Sequence, residues 1–133
     1  MNNKRAGTRF EHELCEMLAA RGFWVRELVP NAAGQPADII AVKNNRAHLI
    51  DAKDMTSDRF PLSRIEENQE LAMSRWEECG NKTAWFAIWH DGEIRLLSYE
   101  VHRLMLKLKL KSLTWDTIKQ YSYTLDEWED DCL

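Results

Sequence analysis

The sequence predicts an α/β fold: a central mixed five-stranded sheet flanked by helices. Three observations carry this. Apolar residues recur at helical spacing near the start of the chain. Short runs rich in β-branched and aromatic residues, bounded by turn-forming residues, mark five strands. The order helix, three strands, helix, two strands, helix places a helix between the third and fourth strands, as a parallel crossover requires.

The first helix is expected over 8–21. Phe10, Leu14, Met17 and Leu18 form its apolar stripe. Thr8 serves as N-cap with Glu11 three residues on, as in a capping box, and Gly22 ends the helix. A strand follows over 23–29, then a turn-forming loop, Pro-Asn-Ala-Ala-Gly-Gln-Pro, over 30–36. Two further strands, 37–42 and 48–53, flank a hairpin turn at 43–46. A polar connection over 54–61 leads to a helix over 63–79, stopped by Gly80 and Asn81. The apolar run 83–89 and the run 94–98 flank a turn signalled by Asp91-Gly92. A third helix is expected over 99–110. The rest of the chain carries no decisive pattern.

The chain has 133 residues, the size of one domain. The expected division is one domain over 1–125 and an acidic tail over 126–133. No run approaches the roughly 20 apolar residues of a membrane span. The polar, basic N-terminus reads against a secretory signal. Three widely spaced cysteines, Cys15, Cys79 and Cys132, read as reduced cytoplasmic thiols. The net charge is −4, but the tail holds Asp126, Glu127, Glu129, Asp130 and Asp131. Without those five, 17 acidic residues face 18 basic ones. Basic clusters at Lys4-Arg5-Arg9 and Arg103-Lys107-Lys109-Lys111 can then bind phosphates, although a single charge run is as often a solvated face.

The informative residues are acids that break an apolar pattern. Asp38 opens Ala37-Asp38-Ile39-Ile40-Ala41-Val42, and Asp51 interrupts Leu49-Ile50-Asp51-Ala52. Asp is depleted in strands, and a buried carboxylate is costly unless paired or metal-bound. Strand alternation puts Lys53 on the face of Asp51. Glu11 stands at the end of the helical stripe of Leu14, Cys15 and Leu18. Taken singly, Glu11 reads as a capping residue, Asp38 as a strand-entry residue and Lys53 as a solvated strand end. Together they form a carboxylate cluster with an amine beside it. Such oxygen ligands suit Mg²⁺, which polarises a phosphoryl oxygen and activates water, while a lysine stabilises developing charge. The absence of a His/Cys cluster argues against zinc.

Pro36-Ala37-Asp38 followed by Asp51-Ala52-Lys53 resembles the motif of the PD-(D/E)XK nuclease superfamily, with one extra residue between Pro and Asp. Within it the chain is most similar to the archaeal-type Holliday junction resolvases. Gly7-Thr8-Arg9-Phe10-Glu11 before a helix ending at Gly22-Phe23, the run Ala37-Asp38-Ile39-Ile40-Ala41, and the Arg64-to-Gln69 segment on the second helix carry that similarity. The resemblance implies a restriction-endonuclease-like fold and a metal-dependent DNA endonuclease acting on four-way junctions as a homodimer, in recombination and repair. It implies Mg²⁺, or Mn²⁺ in its place, held by Glu11, Asp38 and Asp51 with the Ala52 carbonyl as a further ligand. Lys53 would be the catalytic lysine and Gln69 a further site residue. Lys4, Arg5, Arg9 and Arg64 would contact DNA. The resolvases usually carry Glu at the position of Asp51 and a serine in the loop where Asn31-Ala32-Ala33-Gly34-Gln35 has no hydroxyl.

Alternative readings are another endonuclease of the superfamily, of repair or restriction type, a non-catalytic DNA-binding module of the same fold, and an α/β interaction protein. The intact Glu11, Asp38, Asp51 and Lys53 set speaks against the last two. The apolar segment Trp85-Phe86-Ala87-Ile88-Trp89 is a candidate for the core and, secondarily, for a dimer interface.

Overall fold

The computed structural model describes the backbone of residues 3–28 and 37–132, and the side chains of 9–28 and 37–131. The elements in order are α1 Asn3–Ala20, β1 Trp24–Glu27, β2 Ile39–Lys43, β3 Arg46–Asp54, β4 Arg59–Pro61, a 3-10 turn Leu62–Arg64, and α2 Glu67–Glu78. There follow β5 Trp85–His90, β6 Glu93–Ser98, α3 Tyr99–Lys107, β7 Ser112–Thr114, α4 Trp115–Gln120 and α5 Leu125–Cys132. Five strands form the main sheet in the order β1-β2-β3-β5-β6, and β4 pairs with β7 in a small second sheet. The β3–β5 pair is parallel and the other neighbours are antiparallel. This is the mixed sheet that the sequence predicts, with α2 in the crossover.

Strand alternation divides the core into two layers. Phe10, Leu14 and Leu18 of α1 and Leu125 and Trp128 of α5 pack with Ile39, Ile50, Trp85, Ala87 and Leu96. Met73 of α2, Met105 of α3 and Ile118 of α4 pack with Leu49, Phe86, Ile88 and Leu97. Helices therefore cover both faces of the sheet. β5 is an interior strand and almost wholly buried, so its apolar run serves the core. Among the described residues no helix is long and apolar enough to cross a membrane.

Several boundaries differ from those expected. α1 begins at Asn3, because Lys4, Arg5 and Ala6 are good helix formers and carry the helix through Gly7. Thr8 is therefore inside the helix and not its N-cap, and Glu11 lies two turns in rather than in a capping box. The other end is as expected. Gly22 has φ +90°, with its N–H on Ala19 O and the Phe23 N–H on Leu18 O, the paired bonds of a Schellman cap. The 43–46 and 90–93 hairpin turns also hold, with Asn44, Asn45, Asp91 and Gly92 all at positive φ.

α2 starts at Glu67 rather than 63. Ile65 is extended, and Glu66 and Gln69 form the capping box. Arg64 accordingly belongs to the 3-10 turn and not to the second helix. The polar connection after β3 contains β4. α3 stops at Lys107 because Lys109 takes φ +61°. The acidic segment 126–132 continues as α5, with Trp128 fully buried.

His48 lies in the α1–α5 layer with its ring 5.1 Å from Trp128 and 6.1 Å from Phe23. Burial, then Arg46 and Lys82, lower its pKa to about 4. The neutral ring is therefore what the fold favours. With a folded pKa below the unfolded value near 6.5, the stabilisation is complete above pH 6.5 and is lost as pH falls through 4. The melting temperature is expected to fall across that window by more in the wild type than in His48→Phe. Parallel profiles for the two proteins would refute this.

Candidate active site

The β2–β3 register creates the site. β2 begins at Ile39, which pairs with Ile50, whereas β3 runs on to Asp54 with only β5 beside it. Residues 52–54 thus have a strand on one side alone. Asp38, just before β2, fills the gap in the ladder: its N–H reaches Ile50 O at 3.1 Å, and its Oδ2 accepts the Ala52 N–H at 2.8 Å. Buried backbone donors need such partners. A carboxylate at this position therefore completes the ladder and turns its remaining surface toward the opening.

That opening is a cleft of about 460 Å³ lined by Glu11, Asp38, Asp51, Ala52, Lys53 and Gln69, together with Asp54, Thr56, Ser57, Arg59, Pro61 and Arg64. The structure therefore brings together all of the predicted catalytic and metal-site residues from α1, β3, α2 and the approach to β2. Asp51 is 1% exposed. Its Oδ1 accepts from Gln69 Nε2 at 3.0 Å, and Lys53 Nζ lies 3.1 Å from its Oδ2. Asp51 Oδ2 thus faces the Lys53 ammonium, and the Asp51 carboxyl also interacts with Asp38. Gln69 Oε1 takes the Glu66 N–H at 3.1 Å and Lys53 Nζ at 3.4 Å. One amide thus caps α2 and orients both Asp51 and Lys53.

The electrostatics are those of acids crowded in a partly dry place. Burial, then Asp38 and Glu27, push the Glu11 carboxyl up to about 7. Burial and Asp38 hold Asp51 well above the usual carboxylate range, against the opposing pull of Lys53. Burial, then Glu27, Glu11 and Asp38, raise the Cys15 thiol to about 11. These groups resist ionisation as the protein stands, and an added cation would relieve them. Among the described residues no group of three or more Asp, Glu, His or Cys side chains is placed to hold a metal ion as the protein stands; Glu11, Asp38 and Asp51 instead line one open cleft. An open arrangement suits a small hard cation that keeps waters and takes one or two carboxylates.

Among the predicted DNA contacts, Arg64 lines the cleft and Arg9 is exposed on α1. The side chains of Lys4 and Arg5 lie outside the described residues, as do Pro36 and the loop 29–36. Sequence reasoning missed Glu27, whose Oε2 pairs with His12 Nδ1 at 3.0 Å and whose charge acts on Glu11. The available signal was an acid at the end of the strand paired with β2. It also missed Thr56, Ser57 and Arg59, which sit in what reads as a plain polar connection.

A family profile described as archaeal Holliday junction resolvase matches residues 2–119. The chain belongs to this family. No match is found among curated proteins. Among solved structures, the Hjc protein of Archaeoglobus fulgidus, described as a Holliday junction resolvase from an archaeal hyperthermophile, superposes with a TM-score of 0.71 at 15% identity. The match covers 94% of this chain and 99% of that one. At that identity it speaks to the fold, and it agrees with the mixed sheet described above. The resolvase family is one of metal-dependent DNA endonucleases. The cleft of this resolvase homologue is lined by Glu11, Asp38, Asp51, Lys53 and Gln69.

Proposed function

We propose that this chain is a Mg²⁺-dependent endonuclease that cuts four-way DNA junctions, acting as a homodimer on cytoplasmic DNA. The observation that carries the reading is the lining of one open cleft by Glu11, Asp38 and Asp51 beside Lys53, with the buried Asp51 carboxyl set between Gln69 Nε2 and Lys53 Nζ. Glu11, Asp38 and Asp51 would hold the cation, with the Ala52 carbonyl as a further oxygen. Bound there, Mg²⁺ supplies charge neutralisation at the phosphoryl oxygens and a more acidic water.

The chain's own residues do the rest. Gln69 fixes the Asp51 carboxylate and the Lys53 ammonium relative to each other. Lys53, with its side chain 14% exposed, presents a positive charge at the cleft floor, where charge develops on the scissile phosphate. Asp38 keeps its place because the Ala52 N–H holds it, which limits the reorganisation needed at the moment of reaction. Arg9 and Arg64, with Lys4 and Arg5, would contact the backbone. Two symmetric nicks need two sites, which a two-fold dimer supplies.

The test is cleavage of a synthetic four-way junction beside a linear duplex of the same sequence, in Mg²⁺ and in Mn²⁺. Paired nicks in the junction are expected, with at least about ten-fold tighter binding than to the duplex, or about 1.4 kcal/mol. A monomer that cuts both substrates at equal rates would remove the junction reading and leave the nuclease one. No cleavage of either in any divalent cation would remove both.

A further inference from the structure

One side of the cleft is built by the segment after β3. Thr56, Ser57, Arg59, Pro61 and Arg64 line it, and the chain holds that segment with unusual care. β4 pairs with β7, so Arg59 lies against Thr114 and Pro61 against Ser112. The Leu62 N–H reaches Lys111 O at 2.9 Å, and the Trp115 N–H reaches Asp58 O at 3.2 Å. Ser57 Oγ donates to Arg59 O at 3.1 Å and accepts the Arg59 N–H at 3.4 Å. A loop that served only to connect β3 to α2 would not need a distant strand to fix it.

The two arginines of this rim differ from three others that are tied to acids, and resemble Arg95, which is held by Ser122 and by the Lys119 carbonyl. Arg21 pairs with Asp126 and Glu129, Arg75 with Glu78, and Arg103 with Glu77. Arg59 Nη1 instead donates to Ser112 Oγ at 3.2 Å, and Arg64 Nη1 donates to Asp54 O at 2.7 Å. The Arg64 guanidinium also stands 5.3 Å over the Phe60 ring. Each is oriented by neutral groups, and neither is engaged by a carboxylate among the described residues. Their charge is therefore not cancelled locally, and most of the five N–H donors of each fork remain for a ligand. The cleft floor is acidic, so a polyanion entering it needs a positive rim. The planar guanidinium matches a phosphate with two parallel hydrogen bonds.

We propose that Arg59 and Arg64 form a clamp for a backbone phosphate adjoining the scissile one, with Arg59 as a substrate-positioning residue; this rests on the nuclease reading above. The clamp sets where the strand lies over the carboxylates. It takes no part in proton transfer or metal ligation.

The experiment measures junction affinity in EDTA over a salt series, so that cleavage does not intervene, for wild type, Arg59→Gln, Arg59→Lys, Arg64→Gln and the double Gln variant. Melting curves are run alongside. Arg59→Gln is expected to weaken binding about ten-fold and to reduce the slope of log K against log salt by about 1, and the double variant by about 2. Arg59→Lys restores the slope but only part of the affinity, because an ammonium lacks the fork. In Mg²⁺ the loss falls on KM more than on kcat. If Arg59→Gln melts early, Arg64→Gln carries the same test. Unchanged affinity and slope in both Gln variants overturn the clamp, as does a fall in kcat with KM unchanged. A wild type that binds with the expected arginine dependence yet never cleaves in metal supports the clamp and removes the nuclease reading.

Discussion

Asp51→Asn is expected to lower junction cleavage by about three orders of magnitude, equivalent to about 4 kcal/mol in the barrier, while junction affinity stays near wild type. The amide keeps the shape of the carboxylate and can still accept from Gln69 Nε2, which reaches Asp51 Oδ1 at 3.0 Å. What it loses is the charge at Oδ2, the buried oxygen that Lys53 Nζ approaches to 3.1 Å. Asp38→Asn should behave alike, since an amide oxygen still accepts the Ala52 N–H.

The same variant makes a second, opposite forecast for stability. The folded pKa of Asp51 stands well above the carboxylate value, chiefly through burial and then Asp38. A carboxyl raised in this way stabilises the fold while protonated, below its unfolded pKa, and that contribution is lost as pH rises through the folded pKa. Metal-free Asp51→Asn should therefore melt above metal-free wild type, by a margin that widens with pH. Added Mg²⁺ should narrow the margin by stabilising only the wild type. Near-wild-type turnover of Asp51→Asn in Mg²⁺ would remove Asp51 from the reaction. A variant that melts below wild type at every pH would show that the carboxylate is structural.

Which parts of this site could be read without coordinates follows from the range of each signal. Asp38 and Asp51 stood out because each interrupts an apolar strand, and the period of two placed Lys53 beside Asp51. Those patterns are local, and the hairpin between β2 and β3 is local too. Glu11 was legible from the helical stripe, although the start of α1 was not: Gly7-Thr8 imitates a cap, and the preceding Lys4-Arg5-Ala6 outweighs it. Gln69 came into view only through the family resemblance. Its physical role, as the capping residue of α2 that also bridges Asp51 and Lys53, depends on how the crossover docks. Glu27 looks like any half-exposed strand end until β1 is laid against β2. The rim at Ser57 and Arg59 is invisible locally, because β4 is three residues long and its partner β7 lies more than fifty positions away. α4 and α5 are short helices, and such helices form through packing rather than propensity.

Trp128→Ala is expected to destabilise the protein by about 3 to 5 kcal/mol, a fall in melting temperature of roughly 10 to 20 °C. The C-terminal acids read as a tail whose charge opposes DNA, which would make its removal raise affinity. Their placement gives a different balance. Trp128 is 0% exposed, and its ring packs 5.6 Å from Phe23, 5.1 Å from His48 and 6.2 Å from Trp85. Glu129 reaches Arg21 Nη1 at 2.9 Å and Lys43 Nζ at 3.1 Å, and Asp126 reaches Arg21 at 2.7 Å. Asp126 is exposed and the Glu129 pairs are only partly buried, so each pair adds little beside the buried indole. It fills the layer between α1 and the sheet, and alanine would leave a cavity there. Deleting 126–133 should cost at least as much, because it also uncovers Phe23 and Trp85. Any gain in DNA affinity from five fewer negative charges should appear only at temperatures where the shortened chain remains folded. Melting curves of Trp128→Ala and of the deletion, read before any binding assay, decide the matter. Wild-type melting in both would return the segment to the role of an electrostatic tail.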